Sequence, residues 1–141
     1  MNMITDKKGR SFVTIMIVVA FVALALRFAT EQLIKFNISQ NEAFAQETLQ
    51  LVSTAMENFA KDHKGGFPRS LDALVETNPP YIAKDYVKLS YAKGYNYSFI
   101  RLDPGGYTYS AIPWRCHLTG RNTYIITTGG AVSSEECSKR E

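Results

Sequence analysis

The chain has 141 residues, 45% of them hydrophobic, and 16 Lys and Arg against 13 Asp and Glu give a formal net charge of +3. That length holds one domain once an N-terminal segment is set aside, and because much of the apolar content lies in the first 36 residues, the remaining core is modest. The small, scattered positive charge does not by itself imply a nucleic-acid partner, and none is expected from it.

Lys7, Lys8 and Arg10 precede an apolar block, residues 12–26, whose single hydroxyl is Thr14. A short basic start followed by such a block is a membrane-insertion signal. As a helix the block covers about 22 Å, short of a hydrocarbon core of about 30 Å. Arg27 can snorkel, and Phe28, Leu33, Ile34 and Phe36 carry apolar surface beyond it. The basic residues predict a single-pass anchor with its N-terminus in the cytoplasm and its C-terminus outside. The rival reading is a cleaved secretory signal, with Ala23-Leu24-Ala25 as the small-residue site, releasing an exported soluble or periplasmic binding domain from near Leu26. Against it, Ala23 and Ala25 lie inside the apolar block, without a polar, helix-breaking approach.

From Arg27 to Asp62 neither glycine nor proline interrupts the chain. Ala45, Leu49, Val52, Met56 and Phe59 recur at helical spacing, a stripe that packs on the globular part. Asn37, Ser39, Gln40, Asn41 and Glu42 break this pattern around a lone Ile38 and predict a weak or bent stretch. A helix continuous over residues 12–62 would run about 75 Å. No domain of this size needs that length, so half of it requires another partner. Gly65-Gly66 ends the helix, with His63 and Lys64 suited to its C-terminal dipole.

Ser70 predicts the N-cap of a short helix over residues 71–76, ended by Asn78-Pro79-Pro80, with Tyr81 and Ile82 packing back on the core. Tyr95, Tyr97 and Phe99 alternate with Asn96, Ser98 and Ile100; Tyr107, Tyr109 and Ala111 alternate with Thr108 and Ser110. Asp103-Pro104-Gly105-Gly106 is the turn between these strands, and a third strand over residues 123–128 ends at Gly129-Gly130. The expected class is α+β: a long N-terminal helix packed on a small antiparallel sheet of about three strands. One sheet face lies on the helix and the other meets solvent.

Cys116 and Cys137 are the two cysteines. In an exported domain they are expected as a disulfide, closing a loop of about 20 residues and stabilising by about 3 kcal/mol. Without nearby histidines at ligand spacing they supply too few ligands for zinc. No catalytic motif surrounds Ser11, Ser70 or Ser90, His63 reads as a helix-terminal residue, and His117 reads as a loop residue, so neither an enzyme nor a cofactor is expected. Asp72, Asp85 and Asp103 lack clustered spacing for calcium, and Asp103 reads better as a turn residue.

Taken in order, these pieces resemble the type IV pilin and type II secretion pseudopilin superfamily over nearly the whole chain. A basic leader ends in Gly9, an apolar segment and a long amphipathic helix follow, and after a glycine break F-P-R-S-L-D-A-L is similar to the family's Y-P-x-S-L-x-x-L stretch. P-P-Y-I, G-Y-N-Y-S-F, G-Y-T-Y-S-A-I-P and T-G-R-N-T-Y-I-I-T-T-G-G-A-V continue the resemblance. It implies that a prepilin peptidase cuts between Gly9 and Arg10 and methylates the new N-terminus. Residues 1–9 are then the leader, 10–36 the hydrophobic assembly helix and 37–141 the globular pilin-like domain.

Two positions depart from the family pattern. The first mature residue is Arg10 where the family usually has Phe, and the fifth is Thr14 where it usually has Glu. That glutamate pairs with a neighbour's terminal amine in the family; Thr14 supplies no such charge, and Arg10 adds a cation that is costly in low dielectric. A minor subunit at a fibre tip would not need the contact. The resemblance implies a structural subunit held in the inner membrane and then in an extracellular or periplasmic filament. Its expected partners are other pilin-like subunits, the peptidase, the inner-membrane assembly platform and membrane lipid. Phe12, Thr14, Ala20, Ala23 and Ala25 would form the assembly helix, the alanines permitting close approach. A further reading is a DNA-uptake pilin, with Lys84, Lys88, Lys93, Arg101, Arg115 and Arg121 on phosphates.

Overall fold

The computed structural model describes residues 7–138. The leader expected at residues 1–9 therefore lies mostly outside the described residues. The chain divides into two compact units, Met1–Phe36 and Asn37–Glu141.

Helix α1, Lys7–Asp62, is 56 residues long. The polar stretch around Ile38 does not interrupt it. Ile38 is buried, Asn41 Nδ2 donates to the Thr119 carbonyl at 2.9 Å, and Glu42 Oε1 accepts from the Arg121 N–H at 2.7 Å. A run that looks like a fault in the helix by hydrophobicity is the face on which a distant loop is hydrogen-bonded. At the other end the Gly65 N–H returns to the Ala60 carbonyl at 2.7 Å, and the left-handed backbone of Lys64 just before it, φ 58°, makes this closure possible. His63 stacks on Phe59 with ring centres 3.8 Å apart, a helix-terminal role as its position suggests.

The sheet has five strands: β1 Tyr91–Ala92, β2 Tyr95–Asp103, β3 Gly106–Pro113, β4 Asn122–Thr127 and β5 Ala131–Glu136. They lie in the order β1-β2-β3-β4-β5 with every pairing antiparallel, a meander. The α+β class is as expected, with two more strands than the hydrophobic pattern indicates. β1 is too short for a period, and every residue of β5 is exposed, so neither strand alternates. The short helix expected over residues 71–76 is a single 3₁₀ turn, Asp72–Leu74, with no side-chain cap from the residue before it. One α-type bond, from the Glu76 N–H to the Asp72 carbonyl at 3.1 Å, follows this turn, and the chain leaves the helical path ahead of Asn78-Pro79-Pro80. A four-residue helix, α2 Lys84–Val87, adds an element without a sequence signal.

The core forms where α1 covers the meander. Ala45, Leu49, Val52 and Met56 are fully buried, against Tyr95, Tyr97, Tyr107, Tyr109, Ala111, Tyr124 and Ile126. The strand alternation puts the tyrosines on the helix side, and Leu74 and Ile82 are buried in the same cluster. A register shift between Phe99 and Arg101 turns Ile100 outward, where it is 64% exposed.

Candidate functional site: a bare apolar helix and a clasped loop

In the N-terminal unit, Phe12, Val13, Ile15, Met16 and Ile17 step around the helix and are each between 50% and 64% exposed. Apolar residues therefore line every side of this helix. Such a helix belongs in a membrane or among other helices. This part of α1 is long and apolar enough to cross a bilayer, and none of its apolar window is buried. Thr14, Ala20, Ala23 and Ala25 lie exposed in the same run. Gly9 and Arg10 have helical backbone, while the Arg10 side chain lies outside what the structure describes. Charge returns at Arg27, 3.8 Å from Glu31 in an exposed pair that is worth little in water. Phe28, Leu33 and Phe36 beyond it remain more than 60% exposed.

In the globular unit, the expected Cys116–Cys137 disulfide is formed, with its Cα atoms 5.7 Å apart. It ties the end of β5 to the loop between β3 and β4. The Cys137 N–H donates to the Arg121 carbonyl at 2.8 Å, and that loop is in turn held by Asn41 and Glu42. Gly120 lies against the buried Tyr95 ring so closely that a Cβ there would fall 2.0 Å from the phenolic oxygen. A cavity of about 630 Å³ opens beside the disulfide, lined in part by Asn96, Ile112, Trp114, Leu118 and Thr123. Trp114 is exposed and meets Tyr91 edge-on.

The fold brings His117 within 4.8 Å of both sulfurs, a proximity that sequence spacing did not indicate, and this is the one His/Cys/Asp/Glu trio of that kind among the described residues. Both sulfurs are spent in the disulfide, so no thiolate ligand remains for a metal. Asp103 closes its turn: Oδ1 accepts from the Gly105 N–H at 2.8 Å, and Arg101 bonds both carboxylate oxygens. The Arg101 guanidinium holds the Asp103 carboxyl below its usual range. Of the six cations weighed for phosphate contact, Arg101 is thus engaged. Lys84 opens α2 and Lys88 follows it, Lys93 lies in the β1–β2 turn, and Arg115 and Arg121 lie in the β3–β4 loop.

Beneath α1 the tyrosine hydroxyls differ in their partners. Tyr95 donates to the Asn122 carbonyl at 2.9 Å. Tyr107 donates to Glu57 Oε1 at 3.1 Å and meets Ser53 Oγ at 2.6 Å, and the same carboxylate oxygen accepts from Gly129 N–H at 2.7 Å. The buried Tyr97 hydroxyl has no partner at hydrogen-bond distance among the described residues, and Thr48 is the side chain near enough to favour its ionised form. Desolvation raises all these phenols, Tyr97 and Tyr107 to about 12. Asn41, Glu42, Ser53 and Glu57 escape a sequence reading because their partners are backbone groups and a hydroxyl 50 or more residues away.

The fold and site together define an α+β protein in which α1 carries a bare apolar segment and also covers an antiparallel sheet, an arrangement compatible with the pilin-like fold. The chain matches no protein-family model, and no curated protein or solved structure is significantly similar to it.

Proposed function

We propose that this chain is a structural subunit of a type IV pilus or a type II secretion pseudopilus. It is anchored in the inner membrane by its N-terminal helix and packed through that helix among other pilin-like subunits in the filament. One observation carries the reading: apolar side chains stand exposed around the whole helix in residues 12–26, while the same helix further on is the lid of a packed sheet. Lipid first and neighbouring helices later satisfy that surface. Because lipid is already apolar, the transfer between them draws on close packing rather than on hydrophobic gain. Ala20, Ala23 and Ala25 favour such packing. A minor subunit suits the departures at Arg10 and Thr14. The disulfide keeps the exposed end of β5 attached to the globular unit outside the cell.

The test is the intact mass of the membrane-extracted protein, together with sedimentation of sheared filaments. The expected result is a mature chain beginning at a methylated Arg10 and present in the sedimented fraction. A chain beginning near Leu26 and found as a soluble monomer overturns the reading in favour of a released binding domain.

A further inference from the structure

We infer that Glu31 is the counter-charge that sets the stagger between packed copies of this chain, by pairing with Arg10 of another copy. The inference rests on the filament reading above and names the contact that such packing would use. Between residues 11 and 36 three residues are charged, Arg27, Glu31 and Lys35, and Glu31 alone is acidic. Once residues 1–9 are removed, the helix begins with Arg10 beside a free amine. Both need an anion when the surroundings are apolar, because a cation there is stable only when paired. The nearest carboxylate on the same mature chain is Glu31, 21 residues along the helix from Arg10 and out of reach of it. Another copy must therefore supply the anion, and within its uncovered helix Glu31 is the one that can.

Parallel helices offset by 21 residues, about 31 Å at the helical rise, place Arg10 of one copy beside Glu31 of the next. The same offset sets the first apolar residues, Phe12, Val13 and Ile15, against Leu33, Ile34 and Phe36, which are 62%, 42% and 62% exposed. That gives the apolar residues beyond Arg27 a partner. Glu31 is open to a second cation, since its contact with Arg27 is 3.8 Å long and its side chain is 55% exposed. Packing without stagger would instead set Arg10 against Arg10. A single charged pair in an apolar seam fixes register in the way a buried polar residue does in a coiled coil. The contact is heterologous, so it propagates.

The test uses the full chain in its own cells, with Val13→Cys and Ile34→Cys, two positions also 21 residues apart, introduced together and oxidised. The native cysteines stay locked in their disulfide. The expected result is a ladder of cross-linked dimers, trimers and higher species, with neither single variant cross-linking. Glu31→Lys is expected to reduce sedimentable filaments by roughly tenfold or more. Arg10→Glu combined with Glu31→Lys is expected to restore them, the N-terminal mass confirming that cleavage still occurs. Filaments of the Val13→Cys single variant that cross-link, or a Glu31→Gln chain that assembles like wild type, overturn the inference and leave the filament reading standing. A wild-type chain that does not sediment, with a double-cysteine chain that does not cross-link, overturns both.

Discussion

Phenylalanine substitutions at Tyr97 and Tyr107 separate a buried hydroxyl without a partner from one with two. At Tyr107 the substitution removes the contact at 2.6 Å to Ser53, which is 3% exposed, and the bond at 3.1 Å to Glu57. Glu57 keeps the Gly129 N–H, so its carboxylate is not abandoned. A neutral hydrogen bond contributes about 1 kcal/mol and one to a charged group about 1.5–3 kcal/mol, so the expected loss, allowing for partial compensation, is about 2–3 kcal/mol. At Tyr97 the substitution deletes a phenolic oxygen that is desolvated without return. Burying such a group costs about 1–3 kcal/mol, so Tyr97→Phe is expected to be neutral or stabilising by about 1 kcal/mol. Urea unfolding of the full chain in detergent micelles, followed by near-UV circular dichroism of the tyrosines, measures both as midpoint shifts at constant slope. A loss above about 1.5 kcal/mol for Tyr97→Phe would show that Thr48 satisfies the hydroxyl and would refute the assignment.

Replacing Cys116 and Cys137 together by serine opens a loop with a sequence separation of 21 and is expected to lower stability by about 3 kcal/mol in the same unfolding assay; an unchanged midpoint would mean that the hydrogen bonds at Asn41, Glu42 and Arg121 suffice. Gly120→Ala drives a methyl into the Tyr95 ring, and overpacking of this kind costs about 1–3 kcal/mol; a wild-type midpoint would show that the loop can retreat. The phenols of Tyr97 and Tyr107 are raised to about 12, so the stability gained by keeping them neutral is complete below pH 10 and is lost as pH rises toward 12. Tyrosinate absorbance and loss of near-UV dichroism are therefore expected to rise together across that window; ionisation of all eight tyrosines near pH 10 with the fold intact would contradict it.

The elements legible in the sequence are those whose side chains alternate between core and solvent. The stripe from Ala45 to Met56 is fully buried as its spacing predicts, and the Tyr95/Tyr97 and Tyr107/Tyr109 alternations set the core face of β2 and β3. What stayed hidden has another physical basis. β5 reads A-V-S-S-E-E and is held by ladder bonds and a Gly129-Gly130 turn, with no buried face to leave a period. The polar run at Asn37 to Glu42 signals a break only if hydrophobicity is the sole criterion; Asn41 and Glu42 are polar because their partners are backbone groups. Ser70 matches the chemistry of a cap, yet the element that follows is a single 3₁₀ turn that begins one residue later and takes no side-chain cap. For the candidate site, the exposed apolar segment was legible from composition because it needs no partner within the chain. The loop clasp was not, since it joins residues about 80 positions apart.

The clasp also decides where the globular unit can be handled. Cys137 and Arg121 are fastened beside Glu42, in the first turns of that unit, whereas the Phe67 N–H meets the Pro104 carbonyl and Gly129 meets Glu57 toward the other end of the helix. The last described residues, Cys137 and Ser138, thus lie on the side of the unit held by Asn41 and Glu42. The hairpin tips at residues 103–106 and 128–130 stand off by a strand length of six to nine residues, roughly 20–30 Å. Fluorophores attached to side chains at those tips sit far from the C-terminal clasp, and their backbone bonds to Phe67 and Glu57 stay in place.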